Sequence, residues 1–293
     1  MSHRVFMERS NERRLPADYR GEVLLWDIDK TYLDTHFSSW RGLARIPFEL
    51  AVDKVTVPGS VPVLRALRRG AGDEIALTPL YFVSGSPPQL RGVVEQRMNL
   101  DAVQFDGITF KDQFGLLLAR RFADVKGQVG YKLQALLRYR SELPDGARWL
   151  CFGDDVESDA EVFTRFGAVC AGLRGGELER LLRKERVHPD DRRPILRLAE
   201  ELPVTADPVE RIFIHSATGK TPTEPAGRVV RTRSYLQTIL VLCQMGKVRP
   251  DAVTAVAAEL RRRGHDEARM EEELDDAVDR LGVEVALLEL AAR

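Results

Sequence analysis

Three strand-length runs, Glu22 to Trp26, Leu77 to Val83 and Arg148 to Phe152, each stop at a polar cluster. Between them, apolar residues recur at helical spacing over Val61 to Arg69, Gln89 to Asn99, Lys132 to Tyr139 and Ala160 to Phe166, the second of these opening after Pro87-Pro88. Runs that are apolar throughout read as strands covered on both faces, and their alternation with helices is how a parallel sheet acquires that cover. The expected fold class is α/β, a doubly wound parallel sheet. A weaker strand is expected near Ala168 to Ala171, and another within Ala102 to Phe110, broken by a turn at Asp106-Gly107.

In such a sheet, ligands bind at the carboxyl ends of the strands. The first run ends in Asp27, Asp29 and Thr31, the second in Ser84 with Gly85-Ser86-Pro87, and the third in Gly153, Asp154 and Asp155, with Asp159 beyond. Asp27 and Asp29 stand at i and i+2, which in a strand places two carboxylates on one side, close enough to share a metal and a substrate. Lys132 begins a helix between the second and third runs, with Lys126 nearby as an alternative. Each residue alone has a bland reading, a turn or a surface charge; the convergence at one sheet edge is the signal. His215 and His265 have no partners at ligand spacing and read as structural.

The remainder of the chain narrows the class. With 44 basic against 45 acidic residues, the net charge of -1 provides no global field for nucleic acid or membrane. Cys151, Cys170 and Cys243 form neither a zinc pattern nor a disulfide framework, and no apolar run is long enough to span a bilayer. The expected compartment is cytoplasmic. Past Gly172, Arg and Glu dominate through Glu201 around an apolar stripe, which reads as a solvated helical arm. Residues 1–205 are expected to form the α/β domain. Residues 206–293 are expected to be mostly helical, with one alternating run at Arg211 to His215, then three helices, the last broken at Gly282.

The strings DIDKT, YFVSGSPPQL and CFGDDVESDAEVF resemble, in order and spacing, the motifs of haloacid dehalogenase superfamily phosphohydrolases, and more narrowly those of the phosphatidate phosphatase family of the actin-patch-protein type. That resemblance implies a magnesium-dependent phosphomonoester hydrolase. Asp27 would be the nucleophile forming an aspartyl-phosphate, Asp29 the acid and base, Thr31 a loop support, and Ser84 and Lys132 the ligands of the phosphoryl oxygens. Magnesium would be held by Asp27, the carbonyl of Asp29 and Asp154, with Asp155 and Asp159 as candidates for outer or water-mediated ligands. The family commonly has Asp where this chain has Lys30, Asn where it has Gly85, and a Ser-Gly-Gln type of sequence where it has Asp155-Val156-Glu157.

Tyr32 to Lys54 and Gly85 to Tyr131 look too short to insert a large cap, so an open site is expected. An open site suits a substrate that brings its own bulk: a phosphatidate-like lipid first, with a nucleic-acid end or a phosphoprotein as the alternatives. The helices after Asp207 are expected to fold over the site or to form a homodimer interface. A non-catalytic interaction module on the same scaffold is the reading from another class.

Overall fold

The computed structural model describes residues 6–34, 54–118 and 127–292. Among them, seven strands form one sheet in the order β1-β4-β3-β2-β5-β6-β7. These are β1 (Met7–Asn11), β2 (Glu22–Asp27), β3 (Leu80–Ser84), β4 (Gly107–Lys111), β5 (Arg148–Asp154), β6 (Val209–His215) and β7 (Val229–Thr232). All neighbours are parallel except β1, which runs antiparallel to β4 at one edge. From the central β2 the chain winds outward through β3 and β4, then crosses back to β5 and winds the other way. The order of strands therefore reverses between β2 and β5, and a crevice opens there at their carboxyl ends.

Alternation along each strand builds two cores. Leu24, Trp26, Leu80, Phe82, Leu150 and Phe152 face one side; Val23, Leu25, Tyr81, Val83, Trp149 and Cys151 face the other. The first face is covered by α1 (Ser60–Arg69), by α2 (Arg91–Leu100) and by four helices near the end of the chain: α8 (Tyr235–Gln244), α9 (Asp251–Arg262), α10 (Glu267–Asp279) and α11 (Val285–Ala292). The second is covered by α4 (Val129–Glu142), α5 (Asp159–Cys170), α6 (Gly175–Lys184) and α7 (Pro189–Glu201). A short α3 (Gln113–Leu118) follows β4.

Several expectations need correction. The run Ala168 to Ala171 is no strand: its first residues complete α5, and Ala171 is the C-cap. The expected solvated arm is instead α6 and α7, whose Leu178, Leu182, Ile195 and Leu198 are buried in the same core as α4, while Arg and Glu form the outer face. Four helices, not three, follow residue 234, and the break falls at Gly282, whose φ of 68° suits glycine. β6 and β7 lie beyond residue 205 and yet extend the same sheet, and α8 to α11 bury their apolar faces on it. Among the described residues no inserted cap domain stands over the carboxyl edge, and no helix is long and apolar enough to cross a membrane.

Candidate active site

β2 ends at Asp27, which is 1% exposed and lies on the α4 side of the sheet. Lys132, in the first turn of α4 and equally buried, sets its Nζ 2.7 Å from Asp27 Oδ1. The same ammonium pairs with Asp159 at the start of α5, and with Glu157 at 2.6 Å. Asp27, Asp154, Glu157 and Asp159 each bring one carboxylate oxygen to within 4.8 Å of the others. Four acids around one lysine leave an excess of negative charge in a nearly dry pocket. Glu157 alone of the four reaches solvent appreciably.

The electrostatics follow from that crowding. Burial drives the Asp27 carboxyl well above the usual range, Lys132 opposes the rise, and the neighbouring acids add to it. Asp159 is raised for the same reasons, and burial with the nearby Asp159 pushes Asp154 up to about 7. Burial works against a charged Lys132, but Asp159, Asp27 and Glu157 outweigh it and hold the ammonium protonated. Asp27 Oδ2 and Asp154 Oδ2 are buried without a hydrogen-bond partner. Hard oxygen donors, surplus negative charge and two unpaired buried oxygens together fit a divalent cation.

The third-strand motif is assembled locally. Asp154 Oδ1 accepts from the N–H groups of Val156 (2.5 Å) and Glu157 (2.9 Å), which turns the chain so that Asp159 comes back over β5. Asp159 Oδ2 then accepts from the Asp154 N–H at 3.2 Å. Gly153 is required by space: a Cβ there would lie 2.5 Å from that of Asp159. Asp155 points elsewhere, accepting from Thr218 N (2.9 Å), Thr218 Oγ1 and Ser216 Oγ (3.2 Å) in the β6–β7 connection. Burial alone would raise its carboxyl, but those donors bring it below the ordinary range.

Asp29 stands apart from the four acids. Its carboxylate accepts from Ser84 Oγ at 2.8 Å and from Ser86 Oγ at 2.9 and 3.0 Å, so the carboxyl end of β3 orients it. Ser84 Oγ in turn accepts from Ser86 N. Thr31 is fully buried, and its hydroxyl makes no hydrogen bond among the described residues. The loop carrying it is held by backbone bonds instead: Tyr32 N to Ile28 O (3.0 Å), Leu33 N to Ile28 O (2.8 Å) and Lys30 N to Leu33 O (2.6 Å). Lys30, at φ 63°, occupies the left-handed region, where an Asp or Asn would be easier to place. Lys126 lies outside the described residues.

Sequence reasoning thus named Asp27, Lys132, Asp154 and Asp159, which the structure gathers, and Asp29 with Ser84, which it pairs a short way off. It missed Glu157 and Ser86. The i, i+2 spacing from Ser84 signalled Ser86; Glu157 had no signal beyond its place in the Asp154 to Asp159 turn.

A buried aspartate beside a buried lysine and a set of acids that fits a cation, gathered where the strand order of a doubly wound sheet reverses, agree with a phosphatase of the haloacid dehalogenase type. More narrowly, the chain belongs to the family of the phosphatidate phosphatase APP1 catalytic domain, whose model matches residues 23–170, half of its length. A crystal structure from Mesorhizobium loti, named as a HAD-like phosphatase, is similar at 15% identity and a TM-score of 0.41, covering 89% of this chain and 95% of that one. No curated protein matches the chain.

Proposed function

We propose that the protein is a magnesium-dependent phosphomonoester hydrolase that works through an aspartyl-phosphate on Asp27. The observation carrying this reading is the buried, unpartnered Oδ2 of Asp27 beside the Lys132 ammonium. In the first step an Asp27 oxygen bonds to phosphorus, the bond to the leaving oxygen breaks, and Asp29 gives that oxygen a proton. In the second, Asp29 takes a proton from water as the water oxygen bonds to phosphorus and the bond to Asp27 breaks, releasing phosphate. Ser86 orients Asp29 through both steps, while Ser84, which donates to Asp29 in the structure, turns its single O–H to the substrate. Lys132 and Ser84 bind the phosphoryl oxygens, the lysine offsetting repulsion between an anionic nucleophile and an anionic substrate.

Magnesium would be held by Asp27, Asp154 and the Asp29 carbonyl, with Asp159 behind them, and would supply charge stabilisation to the phosphoryl group. Asp155 is bound into the β6–β7 connection and is not assigned to that set. A phosphatidate-like lipid is the substrate assigned, on the strength of the family. A reducing cytoplasm suits three unpaired cysteines, two of them buried.

Hydrolysis of an aryl phosphate with magnesium, abolished in both Asp27→Asn and Asp29→Asn while folding is retained, is the expected result. Unchanged turnover in either variant would overturn these roles. Side-by-side rates on phosphatidate vesicles, oligonucleotide ends and phosphopeptides then decide the substrate class, and failure on vesicles alone would remove the lipid.

A further inference from the structure

Tyr235 opens α8, 65 residues beyond the end of the family match, counting from residues 170 and 235. Its hydroxyl donates to the carbonyl of Thr31 at 2.6 Å, across 204 residues of sequence. Its ring stacks on Trp26, the residue before Asp27, at 5.8 Å between centroids and 14° between planes. On the other side it stacks on His215, which pairs with Asp154 across β5 and β6. Tyr235 therefore touches the loop after the nucleophile, the residue before it, and the strand neighbour of a metal-site acid. It is 2% exposed, its hydroxyl is bonded to the Thr31 carbonyl, and it sits close enough to Gly59 that a Cβ there would lie 2.7 Å from its own.

Other contacts from the same helical layer converge on this segment. Arg263, just past α9, donates to Thr56 O at 2.6 Å, and Thr56 bridges Leu33 of the catalytic loop. Glu259 accepts from Gly59 N at 3.4 Å. The loop from Ile28 to Leu33 thus has its backbone fixed on one side by the sheet and on the other by residues from the end of the chain.

We infer that Tyr235 is a positioning residue for the phosphatase reaction, fixing the Asp27 to Thr31 loop through the Thr31 carbonyl and the Trp26 ring. The inference rests on the assignment of Asp27 as nucleophile. A buried tyrosine needs a partner for its hydroxyl in any case, and Thr31 O could serve only that need. The two cases differ in what removal of the hydroxyl does. If the bond only satisfies a polar group, its loss lowers stability. If it fixes the loop, its loss lets the nucleophile sample unproductive placements, which lowers kcat at unchanged substrate binding.

The test compares Tyr235→Phe with Thr238→Val, which removes a buried hydroxyl contact to Thr232 one turn along α8, away from the catalytic loop. Both are assayed on an aryl phosphate with magnesium, with kcat and KM determined separately and melting temperatures recorded. Tyr235→Phe is expected to lower kcat by about fivefold, the loss of one net hydrogen bond, with KM within twofold of the parent. Thr238→Val is expected to lower the melting temperature but leave kcat unchanged. A parent-like kcat in Tyr235→Phe, or an equal fall in both variants, would overturn the inference. Failure of the nucleophile assignment shows separately, as activity surviving Asp27→Asn.

Discussion

The acid cluster at the carboxyl edge and the helical layer of α8 to α11 bear on the same few residues by opposite physical means. Around Asp27, three buried carboxylates, the partly exposed Glu157 and one buried ammonium are gathered together, and Asp27 Oδ2 and Asp154 Oδ2 lack a hydrogen-bond partner. Such a group is held in place by the rest of the fold and contributes little stability itself. In the helical layer the apolar residues buried at 0% exposure include Leu236, Ile239, Leu240, Val253, Val256 and Leu260, packed on the sheet face that holds Trp26. One region concentrates buried charge at the expense of stability, and the other supplies the stability that permits it.

Four substitutions test that division. Asp27→Asn removes one charge from a crowded set, so activity is expected to fall by roughly 10³-fold or more while the melting temperature stays level or rises. A clear loss of stability would mean that the cluster is structural. Lys132→Met strands the carboxylates without their cation and is expected to cost about 3–5 kcal/mol in urea unfolding. A smaller loss there would show that the acids relieve one another by taking up protons. On the other side of the comparison, Leu240→Ala should cost about 3 kcal/mol from lost burial and a cavity, leaving the rate per folded molecule close to the parent. A fall in rate larger than the folded fraction explains would dissolve the distinction between the two regions.

The smallest effect concerns His215, which joins the regions through its stack on Tyr235. Burial holds its pKa down to about 4, with Asp155 opposing and Arg269 assisting. As pH falls from about 6.5 toward 4, the unfolded chain takes the proton first, so stability present above 6.5 is lost through that window. Because the ring is half-buried, the loss is expected to be only about 1–2 kcal/mol. His215→Phe keeps a ring in the stack and should flatten that part of a stability profile; an unchanged slope would assign the acid sensitivity to the carboxylates.

The cluster was legible in the sequence because its parts are short, local and tied to strand ends. Apolar runs located β2, β3 and β5, and the first polar side chain after each run was Asp27, Ser84 and Asp154. The helical layer showed its apolar periodicity but not its target, since periodicity states that a face is buried and is silent about what buries it. The same limit turned α6 and α7 into an expected arm. β1 was missed for another reason: MERSN is an edge strand of mostly half-buried polar residues, pairing on one side only with β4. Tyr235 carried no local signal at all, because its contact with Thr31 depends on a crossover of the whole chain.

The strand order has a consequence for biosynthesis. β5 pairs with β2 on one side and β6 on the other, but β6 begins only at Val209. A nascent chain that has completed β5 at Asp154 therefore presents an unpaired seven-residue edge while α5, α6 and α7 are still being made. During that interval the half of the chain that carries the motifs is also the half most able to pair with a neighbouring polypeptide. Delivery of β6 closes the edge, and Tyr235 leaves the ribosome soon after.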